Sequence, residues 1–132
     1  MIVQSMPTLE QNSCSLGSLL NRWSKLEPDT CRFLNNKTAY ELKLDTPSES
    51  IWYKLSETAC ENLDYAVLQS CVQDALSQHS MNWRLSFTRG VSEACVEYEG
   101  QSYNASVSSE AMALLWAYLN ALEQQHSISL KA

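Results

Sequence analysis

Between residues 83 and 107 the chain reads as three alternating runs separated by tight turns, and this meander limits the fold more than any other stretch. Trp83, Leu85 and Phe87 alternate with Arg84, Ser86 and Thr88, and Ala94, Val96 and Tyr98 alternate with Cys95, Glu97 and Glu99. Tyr103, Ala105 and Val107 complete a third strand. A period of two puts each set on its own face of a sheet. Arg89-Gly90 supplies one turn, and Gly100 stands where a tight hairpin needs positive φ. Strands joined this closely run antiparallel, and such a sheet buries one face against another layer.

Helices are the natural cover. Ser108 or Ser109 can cap a helix whose stripe is Ala111, Leu115, Tyr118, Leu119 and Leu122. Met112, Leu114 and Trp116 widen that stripe, so this helix is expected to be buried on more than one side. A first helix starts at Ser13 or Ser15, carries Leu16, Leu19, Leu20, Trp23 and Leu26 at helical spacing, and stops before Pro28. Another opens at the capping box Thr58-Ala-Cys-Glu61 or at Asp64, with Leu68, Cys71, Val72, Ala75, Leu76 and His79 on one stripe. Between these helices, Cys31–Leu34 and Tyr40–Leu44 flank the turn Asn35-Asn36-Lys37. Ile51–Leu55 forms a brief extended segment after a polar loop containing Pro47. The pattern predicts a single α+β domain, an antiparallel sheet layered with helices in the manner of an α/β/α sandwich. Its expected limits are residues 13–125, after a leader over 1–12 and before a tail over 126–132. That tail is either disordered or an edge strand through Ile128 and Leu130.

With 132 residues, of which 45% are hydrophobic and 18% charged, the chain can bury a core without staples. The first residues lack the basic and apolar regions of an export signal. No window reaches the roughly 20 apolar residues that span a bilayer. Five cysteines without regular spacing then read as reduced core thiols, and the expected location is cytoplasmic, away from membranes. Net charge is −6. Between Arg89 and Lys131 there is no Lys or Arg, while Glu93, Glu97, Glu99, Glu110 and Glu123 all fall in that interval. Nucleic-acid binders cluster cations against phosphates, so direct nucleic-acid binding is disfavoured. An acidic surface instead suits a basic protein partner, and the broadly apolar last helix leaves room for a second copy as part of its cover.

Candidate chemistry is sparse. Structural zinc sites want paired ligands, and no two Cys or His stand within four residues of each other. Cys71 and His79 can share a helix face, but eight residues separate them by about 12 Å of rise. No metal or cofactor is expected. A Cys–His pair can only be assembled in space, from Cys95 or Cys60 with His79 or His126. Paired carboxylates would have to come from Glu93, Glu97 or Glu99, and the three glycines are isolated, which excludes a phosphate-cradling loop. Trp23, Trp83 and Trp116 are expected to pack in the core. Trp52 and Tyr53 follow a polar loop outside any strong pattern and are the expected exposed anchors. The binding candidates are thus Trp52, Tyr53, Glu97 and Glu99, with no catalytic set. The regularly spaced apolar side chains are expected to be taken up by the core, leaving no buried polar machinery for chemistry.

The stretch Ser15-Leu-Gly-Ser-Leu-Leu-Asn-Arg-Trp-Ser-Lys-Leu-Glu-Pro-Asp-Thr-Cys-Arg resembles an opening found in small proteins of bacterial and phage genomes, cyanobacterial ones among them. From about Cys60 to Glu123 there is a second resemblance. Trp83-Arg-Leu-Ser-Phe, a Glu-Gly turn and Ser109-Glu-Ala-Met-Ala-Leu-Leu-Trp-Ala-Tyr-Leu-Asn-Ala-Leu are similar to the phage ABA-sandwich domain. This resemblance implies α/β/α layering and a phage or prophage ancestry, and it transfers no functional residue. The expected function is a non-catalytic phage or prophage accessory protein acting by protein–protein interaction, such as an inhibitor of a host or defence protein. The alternative is a protein that binds or sequesters a small, nucleotide-type ligand in an aromatic-lined pocket.

Overall fold

The computed structural model describes residues 15–34, 39–45, 47–56 and 62–131. In chain order the elements are α1 (Leu16–Leu26), β1 (Cys31–Leu34), β2 (Ala39–Asp45), β3 (Ser50–Ser56), α2 (Asn62–Gln78), β4 (Asn82–Thr88), β5 (Val91–Tyr98), β6 (Gln101–Val107) and α3 (Glu110–Lys131). The turn at Asn35–Lys37 and the capping box at Thr58–Glu61 lie outside the described residues.

The α+β class, with antiparallel strands layered against helices in one domain, is the architecture observed, but the order of layers is sheet, helices, sheet rather than helices on both faces of one sheet. Its strands divide between two sheets, β1-β2-β3 and β4-β5-β6. α3 lies along β5 and β6 and also against α1 and α2, while β1 rests on α1 and β2 on α2. The three helices therefore stand between the sheets. The cause is legible in α3, where Ala111–Leu115, Ala117–Leu119, Ala121 and Leu122 are all buried. A helix apolar on every side needs cover on every side, and one sheet covers only one. The run 126–131 continues α3 rather than forming an edge strand.

Local chemistry ends the elements where it should. Ser15 caps α1, its Oγ accepting from the Ser18 N–H at 3.3 Å, and Ser109 Oγ accepts from the Met112 N–H at 3.3 Å at the start of α3. α2 closes with Ser80 in the left-handed region at φ 58° while the Met81 N–H reaches back to the Leu76 carbonyl at 2.9 Å. Both hairpins of the second sheet have positive φ at each central residue, 54° and 76° at Arg89-Gly90 and 53° and 80° at Glu99-Gly100. That is the turn whose twist matches paired strands. In the second sheet Trp83, Val96 and Tyr103 align across the three strands, as do Leu85, Ala94 and Ala105.

Candidate functional site

A polar cluster sits where the three helices meet. Glu27 follows α1, and its backbone N–H donates to the Trp23 carbonyl at 2.7 Å. Its carboxylate accepts from Trp23 Nε1 at 2.9 Å and from the Tyr118 hydroxyl at 2.7 Å, both on Oε1. His79 Nε2 donates to Oε2 at 2.9 Å. The rings of Trp23 and His79 flank that of Tyr118, at centroid distances of 6.3 and 6.0 Å. Burial by itself raises the carboxyl pKa of Glu27, but the bonds from Tyr118, His79 and Trp23 outweigh it and hold the group below its ordinary value. Burial, and then the neighbouring carboxylate, pushes the Tyr118 phenol far up.

The expectation of no buried polar machinery is therefore corrected at this point. A carboxylate, an imidazole and a phenol do come together, and sequence separations of 52 and 91 residues hid them. One local signal was present, since Glu27 stands four residues after Trp23 on the same helix face. Chemically the cluster is one carboxylate accepting from three donors, two on Oε1 and one on Oε2. The nearby Cys31 thiol is fully buried, donates to the Leu20 carbonyl at 3.6 Å, and is pushed up by burial and then by the Cys71 and Glu27 charges. That thiol is no nucleophile at neutral pH. The geometry is that of a clamp joining α1, α2 and α3.

The anticipated binding residues are dispersed. Trp52 and Tyr53 point to opposite faces of β3 and do not act as one anchor. Trp52 faces away from the helices, half-buried, with the Arg32 guanidinium 3.8 Å from its ring centroid. Arg32 also pairs with Glu41 at 2.7 Å. Tyr53 faces the helices, packs against the core and donates its hydroxyl to Asp64. Glu97 lies on the outer face of β5 opposite Asn82 and Ser102, whereas Glu99 occupies the hairpin turn. Both border one open hollow of about 320 Å³ at that end of the sheet. Of the acid-only interval, Glu123 is tied to Arg22 by two bonds of 2.9 Å.

Of the Cys–His candidates, Cys60 and the His126 side chain lie outside the described residues, and Cys95 and His79 do not come together. Cys95 projects from the face of β5 turned away from α3, whereas His79 stands beside Tyr118 of α3. Around Cys95 the open sheet face forms a hollow of about 230 Å³ with Arg84, Ser86, Glu93, Asn104 and Ser106. Among the described residues no group of three His, Cys, Asp or Glu is placed to hold a metal ion. No described helix is long and apolar enough to cross a membrane.

One further surface departs from expectation. Trp83 is not in the core: it is 36% exposed, and Phe87 on the same face of β4 is 62% exposed. Their partners on β5, Val96 and Ser92, are fully buried. α3 runs along β5 and β6 and barely reaches β4, so the sheet overhangs its helical cover. β4 is also an outer strand, with one edge unpaired among the described residues. Alternation placed Trp83, Leu85 and Phe87 on the helix-facing side, but the width of the helical layer was not written in that pattern. The other outer strand, β6, differs in that Tyr103, Ala105 and Val107 are at least half covered by α3.

The fold and its surfaces define an α+β protein with a helical layer between two antiparallel three-stranded sheets and an overhanging apolar edge. No family model matches the chain, and no match is found among the curated proteins or the solved structures.

Proposed function

We propose that the protein is non-catalytic and acts by binding another polypeptide, with the overhanging edge of β4 as the recognition surface. The observation that carries this reading is the exposure of Trp83 and Phe87 on a strand whose outer edge is unpaired among the described residues. Exposed aromatic groups beside free backbone N–H and C=O groups are the elements of strand-addition binding, where the main chain supplies affinity and side chains supply selectivity. The Glu27 cluster supports the non-catalytic part, because its three bonds tie α1, α2 and α3 to one another. A phage or prophage accessory role, such as blocking a host or defence protein, fits the resemblance of residues 60–123 to the phage ABA-sandwich domain.

The test is affinity capture of the full chain at native expression, beside a Phe87→Lys variant of equal stability. A protein recovered with the first and lost with the second supports the reading. Equal recovery with both places recognition elsewhere and sinks the assignment of β4. A second reading, binding of a small nucleotide-type ligand, is favoured by the hollow around Cys95, where Arg84 and Asn104 offer donors. Thermal-shift measurements against a nucleotide panel check it, a rise of several degrees that Asn104→Ala abolishes being the supporting result.

A further inference from the structure

We propose that the polypeptide received by β4 is the β4 strand of a second copy, making one continuous six-stranded antiparallel sheet. The proposal rests on the reading of β4 as a recognition surface and names its partner. β4 spans the seven residues Asn82–Thr88, and Leu85 is its centre. A two-fold axis at Leu85 pairs the whole strand with itself. Trp83 meets the second copy's Phe87, Leu85 meets Leu85, and Asn82 meets Thr88. Each residue keeps its face, so the three apolar residues of both copies form one aromatic strip on the helix side.

Charge counts against the register centred one residue earlier, while a register centred at Ser86 would leave Asn82 and Trp83 beyond the paired run. Arg84 is the one charged residue within β4, and an axis at position 84 would set two guanidiniums directly opposite, which is destabilising. With the axis at Leu85, Arg84 faces the second copy's Ser86. The β5 residue beyond that serine is Glu93, since Ser86 pairs with Glu93 within each copy. Two strand spacings amount to about 9.6 Å, a span that an Arg and a Glu side chain can close over a residue as small as Ser. Within one copy Arg84 and Glu93 are diagonal neighbours across β4 and β5, but no ion pair joins them among the described residues, and the Glu93 carboxylate accepts from the Ser106 hydroxyl at 3.5 Å. Symmetry makes the Arg84–Glu93 contact twice.

Coverage argues in the same direction. β4 exposes its aromatic face because α3 barely reaches it. A second copy would bring its own β4 against that edge and set Trp83 of each copy beside Phe87 of the other. Trp and Phe side chains carry about 150–250 Å² each. The exposed fractions of 36% and 62% thus leave about 200 Å² of aromatic surface per copy to be covered. That is small beside the ~800 Å² per partner of a permanent complex, so the dimer is expected to form and dissociate in the micromolar range.

Sedimentation velocity of the full chain from about 1 to 500 μM tests this. The expected result is a concentration-dependent monomer–dimer shift, with association weakened at least tenfold by Phe87→Lys at unchanged circular dichroism and melting temperature. Arg84→Glu is expected to weaken the dimer in the same way, and Arg84→Glu combined with Glu93→Arg to restore it. Because Arg84 and Glu93 are also diagonal neighbours within one copy, the exchange supports the dimer only where the single and double variants keep the melting temperature of the native chain, and a recovery that merely follows melting temperature counts against it. A chain that stays monomeric throughout, or a dimer indifferent to Phe87→Lys and to the charge exchange, overturns self-pairing. If the monomeric chain nonetheless captures a different protein in a Phe87-dependent way, self-pairing fails while the recognition surface stands.

Discussion

Replacing Glu27 by Ala should cost more stability than any other single polar change among the described residues. The substitution removes one carboxylate and leaves three donors without their acceptor: Trp23 Nε1, the Tyr118 hydroxyl and His79 Nε2. Trp23 and Tyr118 are fully buried, and each orphaned buried donor costs about 1–3 kcal/mol. The Glu27 side chain retains 20% exposure and that of His79 33%, so water can reach His79 and part of the vacated space. A total of about 2–4 kcal/mol follows, a large fraction of the ~5–15 kcal/mol that holds a domain together. The sign of the pH dependence is fixed by the carboxyl group. Its pKa in the folded protein lies below the ordinary value, so its contribution is complete above the unfolded-state value and is lost as pH falls through the folded one. Urea denaturation of the native chain and of Glu27→Gln, from pH 7 down to pH 3, should therefore show a gap that narrows in acid. A Glu27→Ala protein within about 0.5 kcal/mol of the native chain at pH 7, or a gap that widens in acid, refutes the clamp.

Further predictions concern single sites. Cys31 and Cys71 should resist alkylation at neutral pH until the protein unfolds, because burial pushes the Cys71 thiol up to about 12 and raises Cys31 further. Peptide mapping after a timed iodoacetamide pulse reads this, and rapid labelling of either thiol in the folded protein contradicts it. Ser92 is fully buried, and its Oγ has no hydrogen-bond partner among the described residues, so Ser92→Ala should raise stability by about 1 kcal/mol; a loss of that size would mean the hydroxyl is satisfied. Ser80→Gly relieves a left-handed residue at the end of α2 and should stabilise by about 0.5–1 kcal/mol in the same assay. Gly100→Ala, at φ 80°, should destabilise by about 1 kcal/mol although the space around it is open.

Much of the fold was legible because its elements are locally self-consistent. The stripe of α1, the alternation of β5 and the turn glycine at position 100 each state their geometry within a few residues. What stayed hidden depends on distance along the chain. Glu27 reads locally as the residue before a proline, and only folding brings His79 and Tyr118 to it. Trp83 alternates as an inward residue and does face the helices, yet whether a helix covers it depends on where α3 crosses the sheet. Trp52 and Tyr53 were adjacent in sequence and so parted across the sheet, one under Arg32 and the other bonded to Asp64. The second sheet needed α3 to be apolar all round, a property visible in Ala111–Leu122 whose consequence is architectural.

The most direct trial of β4 as a protein-binding edge is a photo-crosslinking side chain placed at Phe87 in the full-length chain and irradiated in the cell. A covalent adduct to protein at position 87, together with none at Ser102 on the outer face of β6, is the result predicted here. Irradiation that yields no protein adduct at Phe87, or equal adducts at both positions, contradicts it.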